Sequence, residues 1–444
     1  MKENFKGKRV TVVGLARSGA AAARALNALG AIVTVTDKKP LDQLTAPLRS
    51  LGGGIAVEAG GHPERIFLEA ELIVLSPGVP RLAPVLRAQR HGVRVISELE
   101  LAWLLSDAPY IGITGTNGKS TVTTLVGLML AKAKKNALVA GNIGTALTED
   151  VSRLSGTDWI VAELSSFQLE DIETFRPRLA TVLNVTQDHL DRYRSLEEYG
   201  EAKARIFKNQ QQGDFLVLNF DDPIVKSYAR HAAATVIPFS RRLRFNPGAC
   251  VFEGHLLFNG RRVIAVDEIK ISGVHNLENA LAATALSLLA GADIRSAASV
   301  LREFPGLEHR LEFVRTKDGV SYMNDSKGTN VGAVIKSVEG FARPVILIAG
   351  GLDKGSDFSP LYDLFKRKVK LLVLIGKAAD KMAKVLGTAT ETVFAQSLRE
   401  AVRLAATRAG HGDVVLLSPA CASFDMFRDF EDRGRQFKEA VKEL

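Results

Sequence analysis

Gly112-Ile113-Thr114-Gly115-Thr116-Asn117-Gly118-Lys119-Ser120-Thr121 follows the apolar lead-in Tyr110-Ile111 and precedes a run in which Val122, Leu125, Val126, Met129 and Leu130 recur on one helical face. Lys132, Lys134 and Lys135 come where a helix C-terminus favours cations. The stretch therefore reads as strand, glycine loop, helix. Such a helix start offers unpaired N–H groups and a positive dipole end to phosphate, with Lys119 in reach of the terminal phosphates and the Ser120 hydroxyl able to ligate Mg²⁺. The strict phosphate-loop spelling wants glycine at position 113 and finds Ile113, so Gly115 must supply the flexibility. The plainer alternative is a glycine-rich turn carrying a surface lysine.

Further apolar runs surround this loop: Ala137 to Ala140, Trp159 to Ala162 and Ala180 to Leu183. They end in Gly141-Asn142, in Glu163, and in Asn184 with Gln187-Asp188-His189 shortly after. Helical stretches between them imply parallel strands whose polar ends share one edge with the phosphate loop. Glu163 fits an acidic metal ligand at a strand end, or a surface glutamate after a strand. His189 alone reads as structural as readily as a ligand. Residues 201–207 read as helix, and 219–259 as short strands among turns. His275-Asn276-Leu277-Glu278-Asn279 opens an alanine-rich helix, where Asn276 and Asn279 share a face that suits a nucleoside edge or simple capping.

Residues 9–37 read as a βαβ unit of a Rossmann-like domain. Four residues separate Gly14 from Gly19, so the dinucleotide fingerprint is not matched, yet both glycines allow a nucleotide to approach. Asp37, about 20 residues on, suits a ribose hydroxyl or a turn. The strand Leu72 to Leu75 ends in Ser76-Pro77-Gly78, again where ligands of open sheets gather. Past Phe304-Pro305-Gly306, runs at 321–323, 345–349, 371–375 and 414–417 alternate with helical patterns and give another doubly wound unit. Three domains are expected: a Rossmann-like domain over 1–97, a central mononucleotide-binding domain carrying the phosphate loop over 98–305, and a second Rossmann-like domain over 306–444.

With 444 residues, 46% of them hydrophobic and 24% charged, the chain has the composition of a folded globular protein. Its net charge of +9 is scattered, and without an aromatic-rich basic stripe it does not indicate nucleic acid. Two cysteines are too few for a disulfide framework or zinc site. The first residues lack the pattern of a signal peptide, and no apolar run approaches the ~20 residues that cross a bilayer. A cytoplasmic monomer with no membrane partner is expected.

Gly115-Thr116-Asn117-Gly118-Lys119-Ser120-Thr121, Gly141-Asn142-Ile143-Gly144, Glu163-Leu164-Ser165-Ser166-Phe167, Asp188-His189-Leu190-Asp191 and His275-Asn276-x-x-Asn279 together resemble the Mur ligase superfamily in order and rough spacing. Gly14 to Gly19, Asn324-Asp325-Ser326-Lys327-Gly328-Thr329-Asn330 and the block from Ser418 to Gly434 resemble its D-glutamate-adding branch. The resemblance implies an ATP-dependent ligase of peptidoglycan precursor synthesis that joins D-glutamate to UDP-N-acetylmuramoyl-L-alanine through an acyl phosphate. It implies that residues 115–121 hold the ATP phosphates, Asn276 and Asn279 the nucleoside, and that Arg310 and Asp325 close on ATP. Lys119, Glu163, His189 and Lys203 would be catalytic, the last three and Ser120 serving Mg²⁺, with Lys203 as a carbamate. Leu15, Thr36, Asp37, Gly78, Asn142 and Ser165 would bind the UDP substrate, and Thr329, Lys354, Ser423 and Phe430 would frame D-glutamate. The family often has Arg where this chain has Asp37. Rival readings are a folylpolyglutamate synthase-like ligase, a non-catalytic nucleotide-binding scaffold, and an NAD-dependent oxidoreductase, the last opposed by the Gly14–Gly19 spacing and the phosphate loop.

Overall fold

Strands Leu72–Leu75 and Val345–Gly350 are buried along their whole length, as befits strands covered on both faces, and helices cross between parallel neighbours. The computed structural model describes residues 3–187 and 192–444, folded around three sheets. The first is all parallel, in the order Ala56–Ala59, Ile32–Asp37, Arg9–Val13, Leu72–Leu75, Arg94–Ser97. Strand order reverses between Arg9–Val13 and Leu72–Leu75, so a ligand crevice opens at their carboxyl ends, beside Gly14 and Gly78. Helix Arg17–Ala28 buries Gly19 to Ala23 and Leu26. A Cβ on Gly19 would lie 1.8 Å from the Gly14 carbonyl oxygen, so only glycine lets the helix start so close to the turn.

The nine-stranded second sheet places Tyr110–Thr114 between Leu179–Val182 and Trp159–Glu163, with Ala137–Gly141 at the edge beyond. These four are parallel, as their crossover helices required. Beyond Leu179–Val182 come Phe215–Asn219 and Thr235–Ser240, then an antiparallel meander, 249–265. The expected helix at 201–207 begins earlier, at Leu196, and runs to Ala204 before tightening into a 3₁₀ turn over Arg205–Phe207.

The first two sheets belong to one compact unit, residues up to 185 with 199–268 and 278–302. Helix Glu98–Leu105 joins them: the buried Glu100 carboxylate accepts from the backbone of Glu173, Thr174 and Phe175 and from the Thr174 hydroxyl. Arg17 Nη1 also donates to Gly144 O at 2.7 Å.

The second unit comprises 186–187, 192–198, 269–277 and 303–444. Its six-stranded sheet runs Glu312–Lys317, Val320–Asn324, Val414–Leu417, Val345–Gly350, Val369–Ile375, Glu391–Phe394, parallel except for the first pair. That hairpin turns at Asp318 and Gly319, both at positive φ. The basic run at 366–370 spans the end of helix Tyr362–Lys368 and the first two residues of strand Val369–Ile375. Among the described residues no helix is long and apolar enough to cross a membrane.

Candidate active site

Strand Tyr110–Thr114 delivers a loop, 115–118, to helix Lys119–Lys132, as the opening stretch dictates. Gly118, at φ +88°, has no room for a side chain: a Cβ would meet Asn279 Oδ1 at 2.3 Å. Asn279 thus packs on the loop, while Asn276 Nδ2 donates to Ser272 O at 2.8 Å, the local bond of a helix start. Lys119 folds back over the loop, Nζ donating to Gly115 O (2.8 Å) and Thr116 O (2.9 Å). Ser120 and Thr121 are buried in the first turn.

Asn184 completes the loop. Its Oδ1 accepts from Asn117 N at 2.8 Å, its Nδ2 donates to Asn117 O at 3.0 Å, and its own carbonyl accepts from Thr116 N at 2.9 Å. The sequence marked Asn184 only as a polar strand end; a clamp reaching 67 residues back becomes visible only when strand Leu179–Val182 lies beside Tyr110–Thr114.

Glu163 ends the strand on the other side, in register with Ile113, and is buried. Its Oε1 accepts from Asn142 Nδ2 at 2.8 Å, whereas Oε2 is buried without a hydrogen-bond partner among the described residues. An orphaned carboxylate oxygen beside a phosphate loop fits a divalent cation. Lys203 is also buried; its Nζ donates to Gly115 O at 3.0 Å and lies 4.2 Å from the Tyr199 ring centroid. Lys119 and Lys203 thus converge on one carbonyl. His189, expected beside them, lies outside the described residues. Ser165 caps the short helix Ser166–Glu170 through a capping box with Gln168.

In the crevice of the first sheet, Asp37 Oδ2 accepts from Leu15 N at 2.7 Å and Oδ1 from Lys39 N at 2.9 Å, so its carboxylate shapes the loops around the crevice. Thr36 Oγ1 donates to Gly61 O at 2.9 Å, and Ser76 Oγ to Gly14 O at 2.9 Å. Gly78 turns at φ +83°.

In the third sheet, strand Val414–Leu417 lies between Val320–Asn324 and Val345–Gly350, so the loops carrying Thr329, Ser423 and Lys354 emerge side by side. Ala420 N donates to Gly328 O, and Leu352 and Ala422 exchange backbone hydrogen bonds at 2.9 and 3.0 Å. Lys354 is exposed, Ser423 is buried, and Phe430 begins helix Phe430–Lys442 with the Lys327 ammonium 4.0 Å from its ring centroid.

Asp325 Oδ2 accepts from the Ser337 and Ser418 hydroxyls at 2.7 Å each, and Oδ1 from Leu311 N at 3.3 Å. Burial raises its pKa from 3.8 to about 6, with the two hydroxyls and the nearby Arg310 charge opposing the rise. Because the folded value is the higher one, ionised Asp325 opposes folding above about pH 6, and that penalty fades as pH falls from about 6 towards 3.8. Carbon-13 NMR of labelled aspartates should show one carboxyl, absent in Asp325→Asn, titrating near 6; titration near 3.8 would refute this account.

A phosphate seat with an unpartnered buried carboxylate oxygen one strand away defines a class, the nucleoside-triphosphate-using α/β enzymes. The chain belongs to the Mur ligase family. Residues 8–97 match the model of the Mur ligase MurD-like N-terminal domain, 113–287 the Mur ligase middle domain, and 309–421 the Mur ligase glutamate ligase domain. UDP-N-acetylmuramoylalanine--D-glutamate ligase of Geotalea uraniireducens is 48% identical over 98% of each chain. The protein of that name from Caldanaerobacter subterraneus subsp. tengcongensis is 45% identical over 99% of each. Among solved structures, a pseudomurein peptide ligase type C from Methanothermus fervidus shares the fold, with a TM-score of 0.63 at 19% identity, covering 98% of this chain and 100% of its own. MurF ligase from Thermotoga maritima, solved in complex with ADP, does so with a TM-score of 0.61 at 16% identity, covering 93% and 95%.

Proposed function

We propose that the protein joins D-glutamate to UDP-N-acetylmuramoyl-L-alanine at the expense of ATP, in peptidoglycan precursor synthesis. The observation that carries this reading is full-length identity of 48% to a ligase of that name, in a chain whose phosphate loop and Glu163 are built as the reaction needs.

The alanyl carboxylate attacks the γ-phosphorus, ADP leaves, and the D-glutamate amine then attacks the acyl carbon, so that phosphate and a proton depart as the amide forms. Backbone N–H groups of residues 118–120, at the start of the helix, and the Lys119 ammonium hold the phosphates, and Asn276 and Asn279 orient the nucleoside. Glu163, His189, Ser120 and a carbamylated Lys203 would hold Mg²⁺, which when bound offsets phosphate charge. Asn142 keeps Glu163 oriented through their hydrogen bond and, with Leu15, Thr36, Asp37, Gly78 and Ser165, serves the UDP substrate. Excluding water protects the acyl phosphate from hydrolysis. The reading takes the protein as a cytoplasmic monomer.

ADP release measured with UDP-N-acetylmuramoyl-L-alanine and a panel of D- and L-amino acids tests it. Turnover should require both the UDP substrate and D-glutamate; equal turnover with L-glutamate would defeat the assignment.

Lys354, exposed on the loop after strand Val345–Gly350, is assigned to a carboxylate of D-glutamate. Lys354→Ala should raise the KM for D-glutamate about tenfold with little change in that for ATP, since one charged contact is worth about 1.5 kcal/mol or more. Equal rises in both would assign the residue to closure or folding instead.

A further inference from the structure

Arg433 has no solvent exposure, although it sits on a helix whose sequence reads as polar. Its Nε donates to Ser326 Oγ (3.0 Å), Nη2 to Ser326 O (2.8 Å) and Cys421 O (3.3 Å), and Nη1 to Cys421 O (3.2 Å) and Ala422 O (3.4 Å). Every acceptor is neutral. Asp325 and Asp425 act on it through space, and among the described residues its bonding partners include no carboxylate. A Cβ on Gly351 would lie 3.3 Å from Nη1, so the loop after Val345–Gly350 also passes against the guanidinium. One side chain therefore touches all three loops of the edge assigned to the amino acid.

A brace made of neutral hydrogen bonds does not need a charge, and burying a cation without a bonded anion is costly. Burial lowers the guanidinium pKa to about 10, so it remains charged at neutral pH. We propose that Arg433 is a positioning and specificity-determining residue for the incoming amino acid, locking the loops of Ser326, Gly351 and Cys421 into one edge and placing beneath it a positive charge that the carboxylates of an acidic amino acid offset. This rests on the reading of Thr329, Lys354, Ser423 and Phe430 as the D-glutamate edge.

Steady-state kinetics of full-length Arg433→Gln and Arg433→Lys, with Lys354→Ala beside them and melting curves for each, test the proposal. Arg433→Gln should raise the KM for D-glutamate about tenfold or more and leave those for ATP and the UDP substrate within about twofold. Arg433→Lys, which keeps the charge but not the planar fork, should recover D-glutamate KM to within about threefold of the parent. Equal effects of the two substitutions, parallel rises for all substrates, or loss of the melting transition in both variants would reduce Arg433 to a structural brace and overturn the proposal. If Lys354→Ala raises the D-glutamate KM and Arg433→Gln does not, the proposal fails alone. If neither does, the edge itself is misassigned and the proposal falls with it.

Discussion

Lys119→Ala should lower ADP release about 100-fold or more while leaving binding of the UDP substrate and the melting temperature nearly unchanged. The ammonium donates to Gly115 O and Thr116 O, both acceptors of its own loop, so it does not tie distant elements together. Asn184 clamps Asn117 independently, and the loop keeps its shape without the lysine. What is lost is a cation on the transferring phosphate, where charge redistributes as the γ-phosphoryl group moves. The crevice beside Gly14 and Gly78 belongs to a different sheet and should bind the UDP substrate as before. Isothermal titration with the UDP substrate, run beside an ADP-release assay, separates the two effects. Near-normal ADP release would show that the phosphates sit elsewhere.

Lys203→Arg should abolish ligation despite conserving charge. A carbamate forms when a neutral amine takes up CO₂ and loses a proton, and it turns an ammonium into a carboxylate on a long arm. Lys203 is buried, and its Nζ shares the Gly115 carbonyl with Lys119 Nζ. Guanidinium cannot follow that chemistry, and its planar head must fit where Nζ lies 4.2 Å from the Tyr199 ring centroid. Turnover should fall at least ~100-fold, the scale of removing one preorganised charge contact. Mass spectrometry under ¹³CO₂ with chemical trapping should label Lys203 in the parent protein. Wild-type turnover by the arginine variant, or an unlabelled Lys203 in active enzyme, would refute the carbamate.

The parallel core of each sheet was legible because apolar runs ending in polar loops have one economical arrangement, with helices crossing between them. The strand, glycine loop and helix over 110–132 were legible from local order alone. Less legible was strand Glu312–Lys317, whose alternation is weak; its signal was Asp318-Gly319, a hairpin pair that presents positive φ at both positions. The early start of helix Leu196–Ala204 also escaped periodicity. Asp37 read equally as ribose ligand or turn former, and its two backbone bonds give it the loop-shaping role whatever else it binds. Asn142 was marked for the UDP substrate by resemblance, while its bond to Glu163 depends on the pairing of Ala137–Gly141 with Trp159–Glu163. Arg433 could not have been found from sequence: arginine on a charged helix reads as surface, and only the three converging loops bury it.

Strand Val414–Leu417 has a consequence for synthesis on the ribosome. It is made after the other five strands of its sheet, yet it occupies the interior, between Val320–Asn324 and Val345–Gly350. Until it emerges, the nascent chain carries two unpaired strand edges, one of them the wholly apolar Val345–Gly350, and such edges invite pairing with other chains. The loops before and after the gap cannot meet either, so the loops of Ser326, Gly351 and Cys421 come together only after residues 414–433 have been made. A chain cut short before residue 414 therefore has its aggregation-prone strands and none of the closure that hides them.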